Sequence, residues 1–288
     1  MHPTDPQDPA TYSLQEWLEA LKDLYSPGEI RAMRKFWLET RALSPRIPDR
    51  VPPRSWIRLG EGEPVQYVLG KAWFHGLCLE VGPSVLIPRP ETEELVDWML
   101  EDLNGEAEFA GEAVWDIGTG SGCIALALAA AIPGLRVRGS DKDLDVLKVA
   151  KSNAVACGLE NRVSLDLYDF MEEEVPVPPC PYWVSNPPYI GTEEADAMDA
   201  VVLKYEPHLA LFAPGDHPIT VYRRLATKFL KAPHARSFWL EMNPLHAESC
   251  RTLWPGCRVT LRHDMQGKAR MLKVTKAGVP PGPAGQFS

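Results

Sequence analysis

Between residues 114 and 275 short apolar runs alternate with longer segments of helical period, and this alternation is the strongest constraint on the fold. Strands are predicted over 114–117, 136–140, 163–167, 182–185 and 237–242. Helices are predicted over 123–132, 143–157, 217–230 and 245–253. A further helix begins at Glu91, with Glu91, Glu93 and Glu94 in its first turn, where they oppose the helix dipole favourably. Strands alternating with helices predict an α/β, Rossmann-like sheet, mostly parallel and covered on both faces. The last two strands, 257–263 and 270–275, are joined too closely for a crossover, so an antiparallel closing pair is expected.

Upstream, Ser13-Leu14-Gln15-Glu16 and Ser26-Pro27-Gly28-Glu29 are capping boxes. Leu14, Trp17, Leu18, Leu21 and Tyr25, then Ile30, Met33 and Trp37, follow at helical spacing, so two antiparallel helices are expected. Pro45, Pro48, Pro52 and Pro53 among arginines mark 44–54 as an extended linker. Strands over 74–81 and 84–87, around a Gly82-Pro83 turn, suggest a hairpin. The expected organisation is a short N-terminal helical domain with its Pro-rich linker (1–54), a bridging β-hairpin (55–90), the α/β domain (91–276) and a disordered tail (277–288). Residues 1–12 are expected to fray.

Thirty basic against thirty-nine acidic side chains give a net charge of −9 over 288 residues. That balance argues against a chain built to hold duplex phosphates, so no stable nucleic-acid partner is expected. No apolar run reaches the roughly 18–20 residues of a membrane span, and the start is polar, so a cytoplasmic protein without a membrane partner is expected, as a monomer. The six cysteines form no C-x-x-C and the seven histidines no H-x-x-x-H, so neither a metal site nor a disulfide framework is expected.

Two motifs carry chemistry. Asp116-Ile117-Gly118-Thr119-Gly120-Ser121-Gly122 joins the first sheet strand to its helix, where glycines let backbone N–H groups approach a ligand. The pattern is G-x-G-x-G, not the nicotinamide fingerprint G-x-G-x-x-G/A. With Asp116 ahead of it, the loop suits S-adenosylmethionine (SAM) better than a pyrophosphate, and NAD stays the rival. Asp141 ends the second strand, where a carboxylate accepts from ribose hydroxyls in either case. Asp143 is expected to cap the next helix. Asp169 and Phe170 end the third strand, suited to an adenine amino group and ring respectively, although such a phenylalanine is more often core.

Ser185-Asn186-Pro187-Pro188-Tyr189 follows the fourth strand, at the same sheet edge. Two prolines stiffen the backbone and leave bare carbonyls. Asn186 and Pro187 offer carbonyl acceptors for a planar NH₂, and Tyr189 offers a flat face over it. A chance surface turn is the plain alternative.

With these residues the chain resembles amino methyltransferases acting on planar nitrogens. Residues 62–70 and 86–93, together with Glu206-Pro207, Ala210-Leu211 and 264–270, make it most similar to the protein-(glutamine-N5) methyltransferases of class 1 peptide chain release factors, the PrmC/HemK family. The resemblance covers about residues 60–276 and departs at the N-terminus, where the family usually has a longer helical bundle. It implies a class I SAM-dependent methyltransferase fold, and methylation of the glutamine of a Gly-Gly-Gln motif, with S-adenosylhomocysteine as the second product. It implies cofactor contacts from Asp116, Gly118, Thr119, Gly120, Ser121, Gly122, Asp141, Asp169, Phe170 and Asn186. Asp116 would orient the loop or face the methionine ammonium. It implies catalysis by Asn186, Pro187 and Tyr189, with Pro188 completing the substrate site, and a cover over the entrance around Arg89. Rivals are an adenine or guanine amino methyltransferase on DNA or RNA, a methyltransferase of a ribosomal-protein glutamine, a silent SAM-binding module and an NAD oxidoreductase. Glu193, Glu194, Asp196 and Asp199 beside the second motif would suit a basic partner, or are a solvated face.

Overall fold

The computed structural model describes residues 13–43, 51–103, 112–215 and 217–278; the expectations for 1–12, 44–50 and 279–288 lie outside them. Helix α1 (Leu14–Leu21) starts on the expected capping box, with Ser13 Oγ accepting from Glu16 N at 3.3 Å and Ser13 N donating to the Glu16 carboxylate. Helix α2 (Pro27–Leu43) starts on the second, where Ser26 N donates to Glu29 Oε2 at 2.7 Å.

The next stretch differs from expectation. Helices α3 (Pro53–Gly60) and α4 (Val65–Leu69) occupy the end of the predicted linker and the start of the predicted hairpin. A proline at the first helical position needs no N–H and already has helical φ, so Pro53 begins a helix instead of preventing one. Trp56 and Leu59 then close a small core with Trp17, Leu21, Ile30 and Trp37; the Trp17 ring lies 4.7 Å from Trp56 and 5.9 Å from Trp37. The hairpin is β1 (Lys71–Phe74) and β2 (Leu77–Glu80). Its turn is His75-Gly76, with φ of 48° and 77°, the positive values that a two-residue hairpin requires. Residues 84–87 form no strand and run along the site described below.

The α/β part follows in order: α5 (Pro90–Leu103), β3 (Glu112–Ile117), α6 (Cys123–Ala131), β4 (Arg136–Asp141), α7 (Leu144–Ala156), β5 (Val163–Leu167) and β6 (Tyr182–Ser185). Then come α8 (Ala200–Tyr205), α9 (His208–Leu211), α10 (Ile219–Lys231), β7 (Ser237–Glu241), α11 (Ala247–Arg251), β8 (Cys257–His263) and β9 (Ala269–Lys276). The sheet order is β5-β4-β3-β6-β7-β9-β8, parallel throughout except that β9 is antiparallel to both β7 and β8. Strands β6 and β7 are buried at every position, which is why they read as largely apolar runs. Strand β8 alternates between exposed and half-buried residues, as an edge strand does. Helix α6 is apolar all round because both the sheet and α5 enclose it.

Strand order reverses between β3 and β6, and a doubly wound sheet opens its ligand crevice at such a point. Asn153 on α7 braces this end: its Nδ2 donates to Glu80 O and to Ser121 O, both at 2.9 Å, and its Oδ1 accepts from Glu80 N at 2.6 Å. One buried amide thus ties the hairpin to the loop after β3. Among the described residues no helix is long and apolar enough to cross a membrane.

Candidate active site

The loop after β3 and the motif after β6 stand side by side, because those strands are parallel neighbours with Asp116 opposite Val184. Ser185 Oγ donates to Ile117 O at 2.7 Å, pinning the base of one motif to the base of the other. Both therefore lie on one rim of the sheet.

Gly118, Gly120 and Gly122 have φ of 72°, 56° and 84°, so the loop requires glycine at each. Its N–H groups do not reach outward as expected. Gly118 N and Thr119 N both donate to Ser140 O at 2.8 Å, Gly122 N to Thr119 O at 2.8 Å and Gly120 N to Asp141 Oδ2 at 3.1 Å. A pyrophosphate needs free N–H donors at such a loop; here four are committed inside the protein. A Cβ added at Gly118 or Gly120 would meet nothing within 4 Å, so these two glycines open onto the adjoining cavity. An open, donor-poor glycine surface suits a cationic amino-acid portion and a nucleoside better than a dinucleotide.

Asp116 does not line that cavity. It lies fully buried beneath the loop, where Oδ2 accepts from Thr119 Oγ1 at 2.6 Å and from Ala125 N at 3.2 Å, and Oδ1 has no hydrogen-bond partner. Of the two roles expected for it, the geometry favours orienting the loop. Burial pushes its carboxyl up to about 7 from 3.8, against the pull of the Thr119 and Ala125 hydrogen bonds. The folded chain therefore keeps a proton on Asp116 that the unfolded chain has released. That contribution to stability is fully present below about pH 4 and is lost as pH rises through about 7. Asp116→Asn should gain stability relative to the wild type between about pH 5 and about pH 8 in urea unfolding; a gap independent of pH would contradict this.

The cavity is walled by the expected residues Gly118, Thr119, Gly120, Ser121, Asp141, Asp169, Phe170, Asn186 and Pro188. Both Asp141 oxygens accept a backbone N–H, from Gly120 at 3.1 Å and from Asp143 at 3.2 Å, and each keeps further acceptor capacity. Burial raises its carboxyl, against those backbone bonds. Asp143 caps α7 as expected, accepting from Asp145 N at 2.7 Å. Asp169 Oδ1 accepts from Met171 N at 2.8 Å. Phe170 is both core and cavity wall.

A second, smaller hollow adjoins the first. Leu86, Arg89, Asn186 and Ala210 line both, so Asn186 stands in the partition. Pro187 and Tyr189 face the smaller hollow, whereas Pro188, expected beside them, faces the larger. The Tyr189 hydroxyl donates to Glu241 Oε1 at 3.1 Å, and burial together with the Glu241 charge raises its phenol well above the ordinary range. Asn186 Nδ2 donates to Thr92 Oγ1 at 3.0 Å, and Thr92 Oγ1 donates to Glu241 Oε2 at 2.7 Å. Sequence reasoning missed Thr92 and Glu241. The available signal was a single carboxylate closing the otherwise apolar strand Ser237–Glu241.

The segment over the partition is anchored. Arg89 Nη2 donates to Glu206 Oε1 at 2.5 Å, and Ile87 N donates to Glu206 Oε2 at 3.3 Å. The four acidic residues after the motif divide. Glu194 accepts from Asn243 Nδ2, at 3.1 and 2.8 Å, and from Gly191 N at 2.9 Å, and Asp199 caps α8. Glu193 and Asp196 are exposed.

A family model described as "Methyltransferase small domain" matches residues 95–223. The chain is 33% identical over 280 residues to the Release factor glutamine methyltransferase of Flavobacterium psychrophilum, covering 90% of this chain and 96% of that protein. It is 36% identical over 278 residues to the Release factor glutamine methyltransferase of Lactococcus lactis, covering 90% and 99%. The MTRF1L release factor glutamine methyltransferase of Homo sapiens is 34% identical over 232 residues, covering 75% and 68%. Among solved structures, the hMettl16 catalytic domain in complex with an RNA hairpin aligns with a TM-score of 0.57 at 16% identity, over 73% of this chain and 79% of that one. That last likeness is one of fold alone.

Proposed function

The chain belongs to the release factor glutamine methyltransferases, and on that premise we propose that it transfers a methyl group from SAM to the side-chain amide nitrogen of the glutamine in the Gly-Gly-Gln motif of class 1 peptide chain release factors. The observation that carries this reading is the position of Asn186, in the wall between a glycine-lined cavity and a second hollow lined by Pro187 and Tyr189. The nucleoside and methionine portions of SAM belong in the first, the glutamine side chain in the second. The activity is cytoplasmic, where release factors act.

SAM supplies an electrophilic methyl on a sulfonium. Gly118, Thr119, Gly120 and Ser121 would form the surface that receives it, whereas Gly122, expected with them, is outside the cavity lining and packs toward Leu126 and Ala150. Asp141 would accept from the ribose hydroxyls, Asp169 from the adenine amino group, and Phe170 would lie against the ring. An amide nitrogen is a poor nucleophile because its lone pair is shared with the carbonyl. Asn186 Oδ1 and the Pro187 carbonyl accept its two N–H groups, which raises electron density on nitrogen and aims the lone pair at the methyl. Alignment and electrostatic positioning of this kind lower a barrier by several kcal/mol, on the order of 3 for one group. The Tyr189 ring covers the amide. The nitrogen would take the methyl as the sulfur–methyl bond breaks, its electron pair staying on the sulfur of S-adenosylhomocysteine; once cationic, the nitrogen is acidic enough to lose a proton to water, so no base is needed beforehand.

The rival, a base amino group of RNA or DNA, is disfavoured by exposed Glu193 and Asp196 beside the motif and by the net charge of −9. Incubation with methyl-labelled SAM and a mixture of release factor and total RNA should put label in the protein. Label recovered in RNA instead would overturn the proposal.

A further inference from the structure

Asn186 can work only one way round. Its amide must turn oxygen, not NH₂, toward the incoming carboxamide, yet the two ends of an asparagine are nearly the same shape and swap by a rotation about one bond. We infer that Thr92 and Glu241 are positioning residues that lock this rotation, holding the Asn186 carbonyl toward the substrate.

The argument is a count of protons. Thr92 has one hydroxyl hydrogen. A buried carboxylate can only accept, so that hydrogen goes to Glu241 Oε2, at 2.7 Å. Thr92 Oγ1 is left as an acceptor, and the side-chain atom of Asn186 beside it, at 3.0 Å, must be the donor Nδ2. Oδ1 then faces the other way, toward the partition between the two cavities. Glu241 is held as firmly: its second oxygen accepts from the Tyr189 hydroxyl at 3.1 Å. Burial raises the Glu241 carboxyl above the usual carboxylate range, a rise held back by the Thr92 and Tyr189 hydrogen bonds and by the charge of Arg270. Arg270 is itself fixed, with Nε 2.7 Å from Asp264 Oδ2 in the turn between β8 and β9. Thr92 and Glu241 are 2% and 1% exposed, so water does not compete for these bonds. A chain of single-acceptor and single-donor choices thus runs from Glu241 through Thr92 to the group that meets the substrate.

The inference rests on the methyltransferase reading, and two readouts separate their failures. In kinetics with release factor, Thr92→Val, which keeps shape and loses both bonds, should lower kcat by roughly 30–100-fold with KM for SAM unchanged. Thr92→Ser should return it to within about threefold of wild type, and in an Asn186→Ala background Thr92→Val should cost nothing further. In amide NMR, the side-chain NH₂ of Asn186, identified by its absence in Asn186→Ala, should show one slowly exchanging proton in wild type and Thr92→Ser, and none in Thr92→Val. A Thr92→Val enzyme with normal kcat, a loss that adds fully to Asn186→Ala, or an unchanged NMR signal overturns the lock. A wild-type enzyme that leaves release factor unmethylated overturns the substrate instead, and the NMR experiment still decides the lock.

Discussion

Asn186→Ala is expected to lower kcat by about two to three orders of magnitude while the affinity for SAM changes by less than about threefold. The asymmetry follows from where Asn186 stands. Much of the cavity wall is contributed by the loop after β3 and by the residues that follow β4 and β5, none of which uses the Asn186 side chain. Removing it leaves those contacts and deletes one of the two acceptors for the amide, an interaction that strengthens as the nitrogen becomes positive. The loss corresponds to roughly 3–4 kcal/mol, the scale found when a single preorganised group is taken from a site that stabilises developing charge. Steady-state kinetics with release factor and calorimetric titration with SAM measure the two quantities separately. A near-normal kcat would remove Asn186 from the chemistry, and a matching collapse of SAM affinity would make it a cofactor ligand first.

The second large effect is on stability. Trp183→Ala should cost about 3–5 kcal/mol of unfolding free energy. Trp183 sits in the middle of β6, fully buried, with its ring edge-on to Trp115 at 4.8 Å, Phe229 at 5.4 Å and Phe238 at 5.5 Å. Its indole N–H donates to Cys180 O at 2.8 Å, and that carbonyl would lose the bond too. These rings come from β3, α10 and β7, so a cavity there loosens the strand that delivers Asn186 and the strand beneath the glycine loop together. Urea unfolding gives the number; a loss below about 1 kcal/mol would mean that the core collapses around the gap.

The sheet and both motifs were legible because their signals are local. An apolar run such as Tyr182–Val184 identifies a central strand, and three glycines at alternate positions after a strand identify a loop with positive φ. What was hidden depends on residues distant in sequence. Trp56 fell in the segment assigned to the bridging hairpin, and no helix was expected there, because its partners, Trp17 and Trp37, lie on other helices. The hairpin was misplaced because Gly82-Pro83 is the stronger turn signal, whereas the true turn uses a histidine at positive φ. The outward-facing N–H groups expected of the glycine loop are turned inward by Ser140 and Asp141 on β4, which no spacing within the loop reveals. Thr92 and Glu241 are 149 residues apart, and only the closed fold shows that they share a hydrogen bond.

The central claim is that a rigid asparagine–proline corner takes hold of a glutamine carboxamide next to the sulfonium. Its most direct test is tandem mass spectrometry of a class 1 release factor after incubation with SAM and enzyme. The account predicts one added methyl, on the side-chain nitrogen of the Gly-Gly-Gln glutamine, formed by wild type and formed about a hundredfold or more slowly by Asn186→Ala. A methyl on any other residue, or the same methyl formed equally well by Asn186→Ala, would contradict it.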